Sequence, residues 1–212
     1  MRPAEVSFMG DWGAAAVFFC AAAMLGRSVS ISPLDPSDAQ PDAEILPILG
    51  AAGSSWAYRG RVCHFGGALQ RGIDADLSGC PDLGPVLAAT AAGAPGVSEL
   101  RGLRTLPHKE SDRLEGMSRL VAWAGGRAES LPGPGLRIIP AAGRPPRPGC
   151  GGSDAPFDPM GDHRMAFAAA LSGLRRGGAV LGPACVSKSF PAFWAEWAKT
   201  FGQAVPRSSV RM

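Results

Sequence analysis

Apolar residues run without a polar break from Ala14 to Leu25, twelve positions reading "AAAVFFCAAAML". A helix that is apolar on every side is one surrounded by protein, so the stretch predicts a buried helix, ended by Gly26 and followed by a strand at "SVSI". Twelve residues fall short of the roughly 20 that span a bilayer. Glu5 and Asp11 spoil the basic segment with which a signal peptide opens, so neither a membrane partner nor export is expected.

Two later stretches share this plan. "PDLGPVLAATAAGAPGVSELRGL" and "GDHRMAFAAALSGLRRGGAVLGP" each carry an aspartate at the head, continue as an Ala-rich helix, break at glycine and resume as a short β-prone run. The three aspartates, Asp11, Asp82 and Asp162, are 71 and 80 residues apart, a spacing that suggests a recurring unit. Ala-rich helices also resemble one another through composition alone.

Between these stretches lie segments of a second type, amphipathic and richer in charge: "DAEILPILGAAG", "ESDRLEGMSRLVAWAGG" and "FPAFWAEWAKTFG". In the middle one Leu114, Met117 and Val121 fall on one helical face, and Gly125-Gly126 supplies the stop. The order is therefore buried helix, strand, amphipathic helix, strands, three times over with the last copy shortened. That pattern predicts an α/β (α+β) domain whose helices pack inside small sheets. The Pro- and Gly-rich stretch "AAGRPPRPGCGGSDAPFDPMGDH" is expected to be a loop, ordered only near "GDHR".

Composition narrows the function. With 212 residues, 46% of them hydrophobic and 18% charged, the chain is long enough to bury a substantial core. Its net charge of +3 comes from dispersed Lys and Arg, unlike the basic stripe of a nucleic-acid binder, and leaves a small anion as a partner. Five cysteines, Cys20, Cys63, Cys80, Cys150 and Cys185, form no C-x-x-C pair. An odd number without a leader fits reduced thiols in a cytoplasmic protein, where they serve as small apolar residues.

The polar clusters fall where helices are expected to begin. Asp82 heads one buried helix; Asp162, His163 and Arg164 head another; Lys109, Glu110 and Arg113 precede an amphipathic helix and Lys188 the last. Aspartate is a favoured N-cap and needs no further role. Cations at that end oppose the helix dipole, at about 0.3–1 kcal/mol each when exposed, so their gathering points to a bound anion or to ion pairing among Lys109, Glu110, Asp112 and Arg113.

"LPHKESDRL", "GCPDLGPVLAATAAGA", "GDHRMAFAAALSGL" and "CVSKSFPAFW", in this order, closely resemble the C-terminal half of the 5-enolpyruvylshikimate-3-phosphate synthase (EPSP synthase) family, and "GDWGAAAVFFCAAAMLG" resembles that family's "GD-x-S-x-A" helix. The chain departs from the pattern at Gly13 for serine, at "QPD" for "QGD", at Gly161 for asparagine and in the Pro-rich insertion. The resemblance implies a fold of two domains, each of three βαβαββ units around buried parallel helices (an inverse α/β barrel), with substrates between them. This chain corresponds to one such domain, with repeats near residues 1–75, 76–145 and 146–212. The N-terminal domain is not in the sequence, and family members are about twice as long. A fragment of a longer frame or a half-enzyme completed by a companion chain, inactive alone, is therefore expected.

The implied reaction moves the enolpyruvyl group of phosphoenolpyruvate to the 5-hydroxyl of shikimate 3-phosphate and releases phosphate, with no metal or organic cofactor. By the same resemblance Arg113, Arg164 and Lys188 clamp phosphoenolpyruvate, arginine matching its oxygens bidentately and lysine acting as a mobile point charge. Lys188 also counts among the catalytic groups. Glu110 is implied as the group that protonates the methylene carbon, which calls for a raised pKa or transient protonation. Asp82 engages the substrate hydroxyls, His163 the phosphate end, and Lys109 and Asp162 support substrate binding. A UDP-amino-sugar enolpyruvyl transferase and a non-catalytic domain of the same fold are the alternatives; "KESDR" followed by "DHR" favours the shikimate enzyme.

Overall fold

The computed structural model describes residues 4–7, 10–141 and 155–202. Strand β1 (Ala4–Ser7) leads through helix α1 (Trp12–Leu25) to the parallel strand β2 (Val29–Ser32). A 3-10 turn (Pro41–Glu44), α2 (Ile45–Ala51), β3 (Ser55–Arg59) and β4 (Val62–Gly66) complete the first unit. The second unit repeats it with β5 (Asp74–Asp76), α3 (Gly84–Ala91), β6 (Ser98–Arg101), α4 (Arg113–Trp123), β7 (Arg127–Ser130) and β8 (Leu136–Ile139). Both sheets have the same topology. The strands lie in the order β1-β2-β4-β3 and β5-β6-β8-β7, the first two parallel and the others antiparallel. The third unit holds α5 (His163–Arg176) and α6 (Phe193–Phe201), and among its described residues a parallel bridge joins Phe157 and Val180.

Helices α1, α3 and α5 pack on one another. Ala14 to Ala23 of α1 are all buried, as is every residue of α3. Small side chains let these helices approach closely, and burial on all sides accounts for their all-round apolar character. Their directions agree. At one end the Arg164 guanidinium reaches the Asp82 carbonyl and lies beside Gly13; at the other Arg175 bonds the Gly93 carbonyl next to Met24. The amphipathic helices close the core from outside. From α6, Phe193, Trp197 and Phe201 place their rings within 6.1 Å of Phe18. No helix among the described residues is long and apolar enough to cross a membrane.

The stops and starts follow local chemistry. Gly26 ends α1 at φ 60°, a left-handed conformation that glycine adopts without strain, and its amide caps the Ala22 and Ala23 carbonyls. Asp11, Asp112 and Asp162 each accept a backbone N–H at the heads of α1, α4 and α5. One expectation is corrected here and another sharpened. Asp82 does not cap α3: Pro81 starts a 3-10 turn (Pro81–Leu83) before the helix, and the carboxylate is drawn to neighbouring cations. Lys188 does precede α6, but by five residues and not directly at its start: it closes the 3-10 helix Pro183–Lys188. The expected loop falls largely on residues 142–154, outside the described residues.

Candidate active site

The N-terminal ends of the buried helices and the loops before the outer helices meet at one place. Each contributes one to three ionisable groups. From α1 and α3 come Asp11 and Asp82, and from α5 come Asp162, His163 and Arg164. The segments before α2, α4 and α6 bring Asp42, then Lys109 and Glu110, then Lys188. Repetition of one unit explains the convergence, because equivalent segments of each copy arrive at the same end of the helix cluster.

Arg113 is the hub. Asp112 caps α4, so Arg113 takes the first helical position, where a side chain points back beyond the helix start. Its guanidinium donates through Nε to Asp162 Oδ2 (2.7 Å), through Nη1 to Asp82 Oδ1 (2.9 Å), and through Nη2 to Glu110 Oε2 (2.5 Å) and Asp162 Oδ1 (3.2 Å). Arg113 is 2% exposed and Asp162 0%. Asp162 also accepts from Ser111 Oγ (3.0 Å) and from the Arg164 amide. Asp162, expected to support substrate binding, is thus enclosed and committed to donors of the chain itself.

Around this hub every expected cation already has a carboxylate. Lys109 Nζ is 3.1 Å from Asp82 Oδ1, Arg164 is 3.3 Å from both Asp82 Oδ2 and Asp42 Oδ2, and Lys188 Nζ donates to Glu110 Oε1 at 2.5 Å. Arg113 and Arg164 share Asp82, while Arg113 and Lys188 share Glu110. The three residues expected to form an anion clamp are thus joined in one network. His163 Nδ1 lies 3.7 Å from Glu110 Oε2 and has no hydrogen-bond partner among the described residues. Glu110, Asp162 and His163 bring donor atoms within 4.8 Å of one another; because the carboxylates there are bonded to Arg113 and Lys188, we assign the trio to the ion-pair network and not to a metal. Two cavities flank the network, one of about 370 Å³ bordered by Asp42, Asp82, Lys109 and Arg164, the other of about 200 Å³ between Glu110, Arg119 and Phe157.

Three of the departures from the family pattern have a local account; the Pro-rich insertion lies largely outside the described residues. Met160 and Gly161 both stand in the left-handed region, at φ 56° and 72°, just before the α5 cap. Glycine and asparagine are the residues least strained there, so glycine for asparagine preserves the turn. Pro41 takes the first position of its 3-10 turn, where its missing N–H costs nothing. At Gly13 a Cβ would sit 2.7 Å from Asp42 Oδ2 and 3.2 Å from Arg164 Nη1. The bare backbone leaves room for that ion pair.

A family model described as "EPSP synthase (3-phosphoshikimate 1-carboxyvinyltransferase)" matches residues 2–197. The chain belongs to the EPSP synthase family. Among curated relatives, the 3-phosphoshikimate 1-carboxyvinyltransferase of Syntrophobacter fumaroxidans is 39% identical over 192 residues, covering 89% of this chain and 43% of the relative. That of Aeropyrum pernix is 38% identical over 202 residues, covering 93% and 44%. A solved EPSP synthase from Acinetobacter baumannii aligns over 95% of this chain and 46% of its own, with TM-score 0.70 and 25% identity. The chain therefore spans a little under half the length of these EPSP synthase family relatives.

The electrostatics of the network amend one expectation of the family resemblance. The Lys188 hydrogen bond holds Glu110 below the usual carboxylate range, against partial burial and with help from His163 and Arg113; of the two routes expected for a proton donor, a raised pKa or transient protonation, the first is not found with Lys188 bonded to it. Burial works to raise Asp82 and Asp162, but Arg164, Lys109 and Arg113 outweigh it at Asp82, and Arg113 with the Arg164 amide and Ser111 does so at Asp162. Asp42 goes the other way, because burial exceeds the attraction of Arg164. Burial also lowers His163, keeping it neutral at pH 7 despite Glu110. Asp42, Gln40 and Ser111 are the members of the site that sequence reasoning missed. Gln40 ties the loop to the head of α1, accepting from the Trp12 amide and donating to the Gly10 carbonyl. Asp42 was legible in principle, since it precedes α2 as Glu110 precedes α4.

Proposed function

We propose that this chain supplies the C-terminal wall of an enolpyruvyl-transfer site, at which phosphoenolpyruvate gives its enolpyruvyl group to the 5-hydroxyl of shikimate 3-phosphate and phosphate leaves. The observation that carries this reading is the joining of Lys109, Arg113, Arg164 and Lys188 to Asp82 and Glu110 in one network at the shared end of three buried helices. Four cations suit the phosphate and carboxylate of phosphoenolpyruvate. Of these, Lys188 and Lys109 present the more accessible charge and Arg164 a partly buried one, while Arg113 positions the carboxylates. Asp82 faces the larger cavity, as a group that engages a hydroxyl should, and Glu110 is the proton donor. The names of the relatives, and the agreement of this chain's "KESDR" and "DHR" with the family pattern, support the shikimate substrate over an amino-sugar nucleotide.

The whole chain is read as one domain of three repeats, facing an N-terminal half supplied in the same or another polypeptide. The free thiols of Cys20, Cys63, Cys80 and Cys185 suit the cytoplasm. One face of a cleft leaves its charges in high-dielectric solvent, where a pair at 4 Å contributes about 1 kcal/mol against about 4 at an effective dielectric of 20. It also forgoes the ~7–11 kcal/mol that positioning can supply. The purified chain is therefore expected to release no phosphate from phosphoenolpyruvate and shikimate 3-phosphate until an N-terminal half from a relative is added or fused. Turnover by the chain alone overturns the half-site reading.

A further inference from the structure

Each cation of the cluster is already bonded to a carboxylate of the chain, so an anion entering it competes with those carboxylates for the same charges. We propose that the incoming anion takes the place of Glu110 at Lys188, and that the displaced Glu110 picks up a proton from solvent on Oε1, so that loading the site is what makes its acid. This rests on the reading of the cluster as an anion-binding, proton-donating centre.

The choice of exchange point follows from exposure and connectivity. Arg113 is 2% exposed and bonded through Nε, Nη1 and Nη2. Arg164 is held by Asp42, Asp82 and the Asp82 carbonyl. Lys109 meets an aspartate that Arg113 and Arg164 also hold. By contrast, the Lys188 side chain is 60% exposed and that of Glu110 37%. An ion pair in such a setting contributes little to stability, and a doubly charged anion competes well for a mobile ammonium group.

The proton follows from what Glu110 keeps and loses. Lys188 faces it from the 3-10 helix, Arg113 from α4, His163 and Asp162 from α5, and Lys109 precedes it in its own loop. Exchange removes the hydrogen bond that does most to depress the Glu110 pKa and puts a negative charge where a positive one lay. Both changes favour the neutral acid. Arg113 opposes them, but it binds Oε2 and divides its charge among three carboxylates. His163 is neutral and Asp162 adds repulsion. The free oxygen is therefore Oε1, and partial exposure gives it a path to solvent. A carboxylate held low in the empty site thus becomes a carboxylic acid only beside a bound anion.

Calorimetric titration of the full chain with phosphoenolpyruvate, in buffers of different ionisation enthalpy, counts the protons taken up. Glu110→Gln keeps the side-chain shape and cannot titrate, so protons gained or lost by the phosphate itself cancel in the difference. Between about pH 6.5 and 7.5 the wild type is expected to take up about one proton more per bound anion than Glu110→Gln. Its Kd should rise with pH more steeply than the variant's, by up to tenfold per unit for one coupled proton. Lys188→Gln, at an exposed position, should bind more weakly and lose the excess proton as well. Binding with equal proton counts in wild type and Glu110→Gln overturns the exchange but leaves the anion site standing. No heat and no change in Tm at millimolar phosphoenolpyruvate overturns both.

Discussion

The charge cluster has a buried end, where Arg113 meets Asp162, and an exposed end, where Lys188 meets Glu110. Both are pairs of one cation and one carboxylate at hydrogen-bonding distance, 2.7 and 2.5 Å, and distance does not separate them. Solvent does. At the buried end each group has several partners and no water to replace them, so the pair fixes how α4 and α5 sit against each other. At the exposed end water and ligands compete for the same groups, so the pair is exchangeable. Burial separates scaffold from chemistry within a single network.

The largest effect should come from the buried end. Asp162→Ala leaves Arg113 without its main partner in a water-free setting, and breaking such a pair typically costs about 3–5 kcal/mol. A shift of that size should appear in the urea midpoint; a loss under about 1 kcal/mol would erase the distinction between the two ends. Next is Glu110→Gln in a complete enzyme containing this half, expected to lower kcat at least ~10²-fold, about 2.7 kcal/mol, with a smaller change in KM. Near-normal kcat would move the proton-donor role elsewhere.

Acid tests the ends together. The pKa values of Asp162, Asp82 and Glu110 are lower folded than unfolded, so each contributes stability above its unfolded value, about 3.9 for Asp and 4.3 for Glu, and loses it as pH falls through the folded value. Asp42, with its pKa raised, has the opposite sign and is relieved by protonation. Tm should therefore fall as pH drops below about 4, and Asp162→Asn, lacking the most enclosed of these carboxylates, should fall less steeply than wild type. Equal slopes would place the acid sensitivity outside this pair. The smallest effect belongs to Lys188→Gln, which should change stability by no more than about 1 kcal/mol, as for other exposed pairs.

Much of the fold was legible because each clue is local. Ala14–Leu25 is apolar all round and is buried all round; Gly26 and Gly125, which follow helices, have positive φ; Leu114, Met117 and Val121 share one face of α4. The third unit was less legible, since among its described residues the strand pairing is the bridge between Phe157 and Val180. Within the site, spacing marked the cations but not what they bind. The cations at the helix starts suggested a bound anion or local pairing within 109–113, whereas their partners lie up to 122 residues away, as for Arg164 and Asp42.

By itself, then, the sequence determined the repeating unit, the helices that fill the core, and which charged residues would collect at one end of it, because periodicity, caps and glycine stops act over a few residues. Only the tertiary structure decided the pairing and the burial. It enclosed Asp162 and left Glu110 partly in water, set Asp42 against Arg164 beside the bare backbone of Gly13, and lowered the pKa of Glu110 through Lys188, so that of a raised pKa and transient protonation only the latter is left to a proton donor there. Those properties depend on the distance and dielectric between groups far apart in the chain, and these exist only once the three units have packed.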